Sequence, residues 1–299
     1  MDLDLSDLGL EITKADATVG QSALLFYGDQ GCGKTTLAAT AVEVPDLSPV
    51  LVIDLENSSA AVSRKYGNHP DLDVVQVRDW VKLERLIDHL CVSPVLNGRR
   101  YKTVILDPFN DVGRLLQQHM IKLVEHKRRL LLKGELGKLT TTDERQLKQL
   151  GSVKIQDSVN NSLGEATTSL PDYGILAAKA GKIIGNMSSA EFLAIFVTHA
   201  DREENKAGRT LSLRPDYPGN VGKGILAQKP HLVGYMQMAV STDDKGVEQI
   251  NTVVRFMPGH DRVTDLPFKA KRRLEGVPNT LINPTMATIW NHINEGDEK

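Results

Sequence analysis

The run Gly28-Asp29-Gln30-Gly31-Cys32-Gly33-Lys34-Thr35 has the spacing G-x-x-x-x-G-K-[ST], and its flanks leave few ways to fold it. Ala23-Leu24-Leu25-Phe26-Tyr27 before it is an apolar run of strand length, and Thr36-Leu37-Ala38-Ala39-Thr40-Ala41 after it favours helix. A strand that feeds a glycine-rich turn and then a helix aims backbone N–H groups at an anion, at the positive end of the helix. The stretch from Gly28 to Thr36 is therefore the expected cradle for a triphosphate. Lys34 would reach the β and γ phosphates, and Thr35 would hold Mg²⁺ through its hydroxyl. ATP and Mg²⁺ are the expected ligands. The competing reading is a glycine-rich turn that binds nothing.

The rest of the chain alternates in the same manner. Val50 to Leu55 and Thr103 to Asp107 are mainly apolar runs of the kind found in strands buried on both faces, and Val74 to Val77 is a shorter strand. Between them Val81, Leu83, Leu86, Ile87 and Leu90 fall at helical spacing. Helix resumes from Pro171 to about Met187, followed by a strand from Phe192 to Val197. Two more strands, around residues 233–240 and 248–256, flank an Asp243-Asp244-Lys245-Gly246 turn, and a final helix runs from about Pro284 to His292. This order implies an α/β fold, a mostly parallel sheet with helices on both faces and ligand crevices at the carboxyl ends of its strands. The last strands are expected to add an antiparallel extension.

Residues 1–20 read as a leader without strong periodicity, and 21–299 as one domain that carries an insertion at about 114–165 and a short acidic tail. Val112, Leu115, Leu116, Met120, Leu123, Val124, Leu130 and Leu131 mark a long amphipathic helix, after which the chain to Leu170 is polar and weakly patterned. From Arg114 to Lys154 ten basic side chains face four acids, so this insertion is locally basic.

Composition closes several alternatives. A net charge of −2 gives no global attraction for polyanions, so any such site must be local. The N-terminus is acidic where a secretory signal would be basic, and no apolar run approaches a membrane span; a cytoplasmic protein is expected. Cys32 sits in the phosphate loop and Cys91 on a predicted helix, so no disulfide framework or zinc spacing exists.

Hydrolysis of a triphosphate needs a second acid for Mg²⁺ and a group that positions or deprotonates the attacking water. Asp107, which ends an apolar strand, is the natural Walker B acid; the alternative is an ordinary strand-end aspartate. Pro108 follows it and cannot activate water, so the base must come from elsewhere. Glu56, at the carboxyl end of the strand after the phosphate-loop helix, would face the same crevice if that strand is parallel and close by. Its alternative role is to cap the turn into Ser58-Ser59.

These motifs resemble the RecA-like recombinases, and within them the phage ATP-binding proteins regarded as single-strand annealing or recombination factors. The resemblance rests on GDQGCGKTT, VIDLE ending in Glu56, TVILD ending in Asp107 and FVTH ending in His199, in that order over about residues 22–292. It implies a RecA-like P-loop core, Glu56 as catalytic base and His199 as sensor of the γ phosphate, at a place where recombinases often carry glutamine. It further implies that Lys271 and Arg273, within Phe268-Lys269-Ala270-Lys271-Arg272-Arg273, enter a neighbouring subunit's site, in a homo-oligomer with nucleotide at the interface. A solvated basic turn is the alternative for that segment.

The expected partner is single-stranded DNA, and the host cytoplasm is the expected compartment if the chain is phage-encoded. Two regions qualify by charge: the insertion with Lys127-Arg128-Arg129, and the segment after His199 with Arg202, Lys206, Arg209, Arg214, Tyr217 and Lys223, read as a loop up to Gly224. Only 5% of residues are aromatic, which argues against extensive base stacking. A nucleotide-switched loader or scaffold with a protein partner, such as a helicase or packaging component, is the alternative function. A small-molecule kinase is disfavoured for want of an acceptor motif.

Overall fold

The computed structural model describes residues 22–56, 60–150, 170–204, 210–242, 246, 248–274 and 276–296. The expected leader, Ser58-Ser59, residues 151–165 of the insertion, Lys206, Arg209, most of the Asp243 turn and residues 297–299 of the tail lie outside these.

Six parallel strands form the centre. They are β1 (Ala23–Gly28), β2 (Val50–Asp54), β3 (Leu72–Gln76), β6 (Thr103–Asp107), β7 (Leu193–Glu204) and β9 (Leu232–Thr242), in the spatial order β3-β2-β6-β7-β1-β9. β4 (Val95–Leu96) and β5 (Arg99–Arg100) make a separate hairpin before β6. β10 (Glu248–Arg255) runs antiparallel to β9, and β14 (Thr280–Ile282) antiparallel to β10, which gives the expected extension. β1, β2 and β6 are buried at every position, as continuous apolar runs covered on both faces must be.

Helices cover the two faces. α1 (Lys34–Ala39), α2 (Ala60–Tyr66) and α8 (Met286–Gly296) pack with Leu24, Phe26, Val52, Ile195 and Met236. The opposite core joins Leu25, Tyr27, Ile53, Leu106 and Phe196 to α3 (Trp80–Val92), α4 (Asn110–Glu135), α6 (Leu170–Ser188) and α7 (Asn220–Gln228). Strand side chains alternate between these cores with period two. A further helix, α5 (Thr141–Gln149), starts at Thr140, whose hydroxyl accepts from Asp143 N–H while Asp143 accepts from Thr140 N–H. This reciprocal cap makes a helix where the chain reads as weakly patterned.

Two expectations change. Val112 and Leu116 of α4 are buried in the core, so the region expected as an insertion from residue 114 begins inside a core helix. The segment after His199 is not a loop: β7 continues to Glu204, β8 (Thr210–Pro215) returns antiparallel to it, and α7 follows. Charged residues at Asp201 to Glu204 hid the strand, because no apolar alternation marks a hairpin whose pairing is held by ion pairs. Small strands β11 (Gly259–His260), β12 (Pro267–Phe268) and β13 (Lys271–Arg272) complete the rim, with β12 beside β8 and β13 beside the start of β9.

Candidate active site

The strand order sets the site. β7 lies between β1 and β6, so the carboxyl ends that carry the phosphate loop, His199 and Asp107 stand side by side, and β2 adds Glu56 just past its end. Gly28 is the register partner of His199 on one side and of Met236 on the other. A Cβ at residue 28 would fall 2.0 Å from the Met236 carbonyl oxygen, so only glycine lets β9 approach the loop this closely. Gly33, at φ 90°, turns the chain into α1 in the left-handed region, where other residues are strained.

Lys34 is buried, and its Nζ donates to the carbonyl oxygens of Gly28 at 2.9 Å and Asp29 at 2.6 Å. The Cys32 sulfur lies 3.7 Å from the same ammonium. Burial pushes the Cys32 thiol up, against the pull of Lys34, so this cysteine stays protonated and packs as an apolar residue. Thr35 Oγ1 donates to Asp107 Oδ2 at 2.7 Å. A hydroxyl oxygen and a carboxylate oxygen that already touch are a donor set suited to Mg²⁺, which takes its other ligands from phosphate oxygens and water. Among the described residues no group of three or more His, Cys, Asp and Glu side chains supplies a fuller metal site.

Lys34, Thr35, Thr36, Glu56, Asp107 and His199 line one cavity of about 370 Å³, together with Gln30, Gly31 and Gly33. Glu56 Oε2 stands 3.8 Å from His199 Nε2, and both side chains keep access to solvent. The cavity thus has an ammonium and a hydroxyl–carboxylate pair at its floor, with an acid and an imidazole at its mouth. Lys271 and Arg273 are not part of it. β13 pairs with Leu232 and Val233 at the amino end of β9, three to four residues, about 10–13 Å, back along the strand from Met236, the register partner of Gly28. The Lys271 ammonium donates to the carbonyls of Gln228 and Pro230, and burial lowers its pKa to about 8, with Arg273 adding to the effect. Arg273 is exposed.

Three acids around the site escaped the sequence reading. Asp54, fully buried and in register with Asp107, accepts from Glu56 N–H at 3.0 Å and so fixes the turn that presents Glu56. Asp111 and Asp216 flank Arg114 at 2.9 and 3.7 Å. Burial raises the pKa of both; Arg114 opposes this, Glu56 adds to it at Asp111, and Asp201 adds to it at Asp216. Asp54 was legible as an acid ending a buried strand, whereas Asp216 is brought in only by the hairpin. Arg114, counted among the basic residues of the insertion, belongs to this cluster.

The hairpin residues expected to meet DNA are engaged elsewhere. Arg214 is buried between Glu203 and Asp201 and donates to Asn220 Oδ1 at 2.7 Å; Lys223 pairs with Asp201 at 2.5 Å. The Tyr217 ring is fully buried, 5.8 Å from Phe109, and its hydroxyl donates to Leu176 O. Arg202 is exposed.

Residues 21–154 match the family model described as an AAA domain. That span holds the phosphate loop, Glu56 and Asp107, and the fold around it has the sheet order and site just described. The core is a P-loop nucleotide-binding fold. No curated protein matches the chain. Among the described residues no helix is long and apolar enough to cross a membrane.

Proposed function

We propose that this protein hydrolyses ATP with Mg²⁺ and uses the nucleotide state to act on single-stranded DNA in recombination or annealing. The hydrolysis reading is carried by one arrangement: Glu56 and His199 face each other across 3.8 Å, above a floor made by Lys34 and the Thr35–Asp107 pair. Glu56, exposed enough to meet water, is the base, and Asp54 holds it in place through the Glu56 N–H. Lys34 would contact the phosphates as a fixed charge, and Thr35 and Asp107 would hold Mg²⁺, which would supply charge neutralisation at the phosphoryl oxygens. His199 is the sensor, because it lies beside Gly28 in the β1–β7 register and β7 continues from it into the β7–β8 hairpin. A change at the γ phosphate is thereby passed to an element beyond the sheet edge.

The DNA part of the reading is supported by the resemblance to RecA-like proteins and by the exposed Arg202 on that hairpin. Arg273, exposed and far from its own loop, acts in this account on a neighbouring copy's nucleotide. Replacing Glu56 by Gln is expected to spare Mg·ATP binding and to slow turnover by about 10² to 10⁴. Turnover within twofold of wild type would refute the base assignment. Single-stranded DNA should raise the ATPase rate; no stimulation, with no DNA retained in ATP at low salt, would refute the DNA reading.

A second reading is favoured by the engagement of Arg214, Lys223 and Tyr217 within the fold. A hairpin whose described residue Arg214 is paired within the fold, as is Lys223 beside it, suits a protein partner, as in a nucleotide-switched loader or scaffold. Capture of a protein partner that depends on ATP, with DNA binding undetectable, would establish it.

A further inference from the structure

A second cavity, of about 460 Å³, opens on the sheet extension and shares no lining residue with the phosphate-loop cavity. It lies between β9, β10 and β14 on one side and the β11–β12 rim on the other. Gln237, which lines it, is only 6% exposed, and its Oε1 has no hydrogen-bond partner. A buried amide oxygen left unpaired is destabilising, so a partner from outside the chain is the natural explanation. Two guanidinium groups, Arg255 and Arg262, face the same space. Arg262 is exposed and has no ionic partner among the described residues.

Arg255 is held on two sides. Its guanidinium lies 5.7 Å from the Phe268 ring centroid, Phe268 stacks on Tyr235 at 4.6 Å, and Nη1 donates to His260 O at 3.0 Å. Among the described residues no carboxylate lines the cavity. Asp261 is turned inward, accepting from the Thr264 N–H and the Tyr235 hydroxyl. The space is therefore cationic, with the Arg255 guanidinium and amide groups from Gln237 and Asn279 at its wall. Its volume is that of a small-molecule pocket and exceeds what an isolated phosphate needs. A flat guanidinium backed by an aromatic ring is a stacking surface for a base, amides bond base edges, and a free arginine takes a phosphate.

We propose that this cavity binds one nucleotide unit, a planar base carrying a phosphate, apart from the triphosphate at the phosphate loop. The unit is either a free mononucleotide or a link of a single strand. The test is calorimetric titration of the full chain, its phosphate loop filled with Mg²⁺ and a non-hydrolysable ATP analogue, with dTMP, a short oligo(dT) and inorganic phosphate in turn. Saturable binding of dTMP or oligo(dT) is expected, weakened about tenfold or more in Arg262→Ala and in Gln237→Leu. Arg262 is exposed and Leu matches Gln in volume, so both variants should fold, and unchanged binding of the ATP analogue checks this.

Comparable affinity per nucleotide for dTMP and oligo(dT) assigns the site to a free mononucleotide; oligo(dT) more than tenfold tighter assigns it to a strand. No saturable binding, binding of inorganic phosphate alone, or equal affinity in wild type and both variants would overturn the proposal. If the ATP analogue itself fails to bind, the hydrolysis reading falls, and loss of dTMP binding in Arg262→Ala still reads the second cavity separately.

Discussion

Replacing Gly28 by Ala tests whether the close seat of β9 against the phosphate loop is what shapes the site. The added Cβ would lie 2.0 Å from the Met236 carbonyl oxygen and 2.9 Å from its carbon. A tolerable C···O contact is about 3.4 Å, so the strands must part locally by about 1.4 Å. Backbone atoms cannot rotate away as the tip of a side chain can. Parting them strains the end of the β1–β9 ladder, where Gly28 pairs with Met236. Loss of one or two ladder hydrogen bonds at about 1 kcal/mol each, plus an overpacking cost of about 1–2 kcal/mol, gives a destabilisation of about 2–4 kcal/mol. For a chain of this size that lowers the melting temperature by about 3–6 °C. Thermal unfolding followed by circular dichroism reads it, with Gly31→Ala as the control. A Cβ at Gly31 meets nothing within 4 Å, so only the cost of its φ of 81° remains, about 1–2 kcal/mol. Calorimetry should also show Gly28→Ala losing Mg·ATP affinity by more than tenfold, because Lys34 Nζ is anchored on the Gly28 carbonyl. Equal melting temperatures and affinities for Gly28→Ala and wild type would refute the reasoning.

Two further outcomes follow from buried charge. Burial, helped by Lys271 and Arg273, holds the His231 imidazole below its ordinary 6.5, and Nδ1 accepts from Ala23 N–H at 3.0 Å, which a protonated ring cannot do. The unfolded chain therefore takes up the proton first: the contribution of His231 is full above pH 6.5 and is lost as pH falls below it. Denaturant titrations across pH 5–7 should show a flatter acid limb for His231→Asn, and identical limbs would contradict this. Arg214→Met leaves Asp201 and Glu203 to Lys223 and Lys269, so the expected loss is about 1–3 kcal/mol. Hydrogen exchange should quicken from Asp201 to Glu204; unchanged exchange there would show that Arg214 does not hold the hairpin.

The legible parts of this chain are those where one signal serves fold and chemistry together. The phosphate loop, Glu56 and Asp107 stand out because strands buried on both faces end abruptly at a crevice. The β7–β8 hairpin was hidden because its pairing is fixed by Arg214 with Asp201 and Glu203, contacts that no periodicity announces. Asp216 and Arg114 join the site only through that hairpin and α4, so local patterns could not place them. Tyr217 and Lys223 looked available to a ligand because aromatic and basic residues in a polar stretch read as exposed; the fold buries the first and pairs the second. α5 was recoverable from Thr140 and Asp143, whose spacing is that of a capping box.

The measurement that bears most directly on the account is calorimetric titration of Mg·ATP into well-folded wild-type protein and into Lys34→Ala. The account predicts a saturable triphosphate site in the wild type that is lost in Lys34→Ala. No heat in the wild type, or the same isotherm in both, would contradict it.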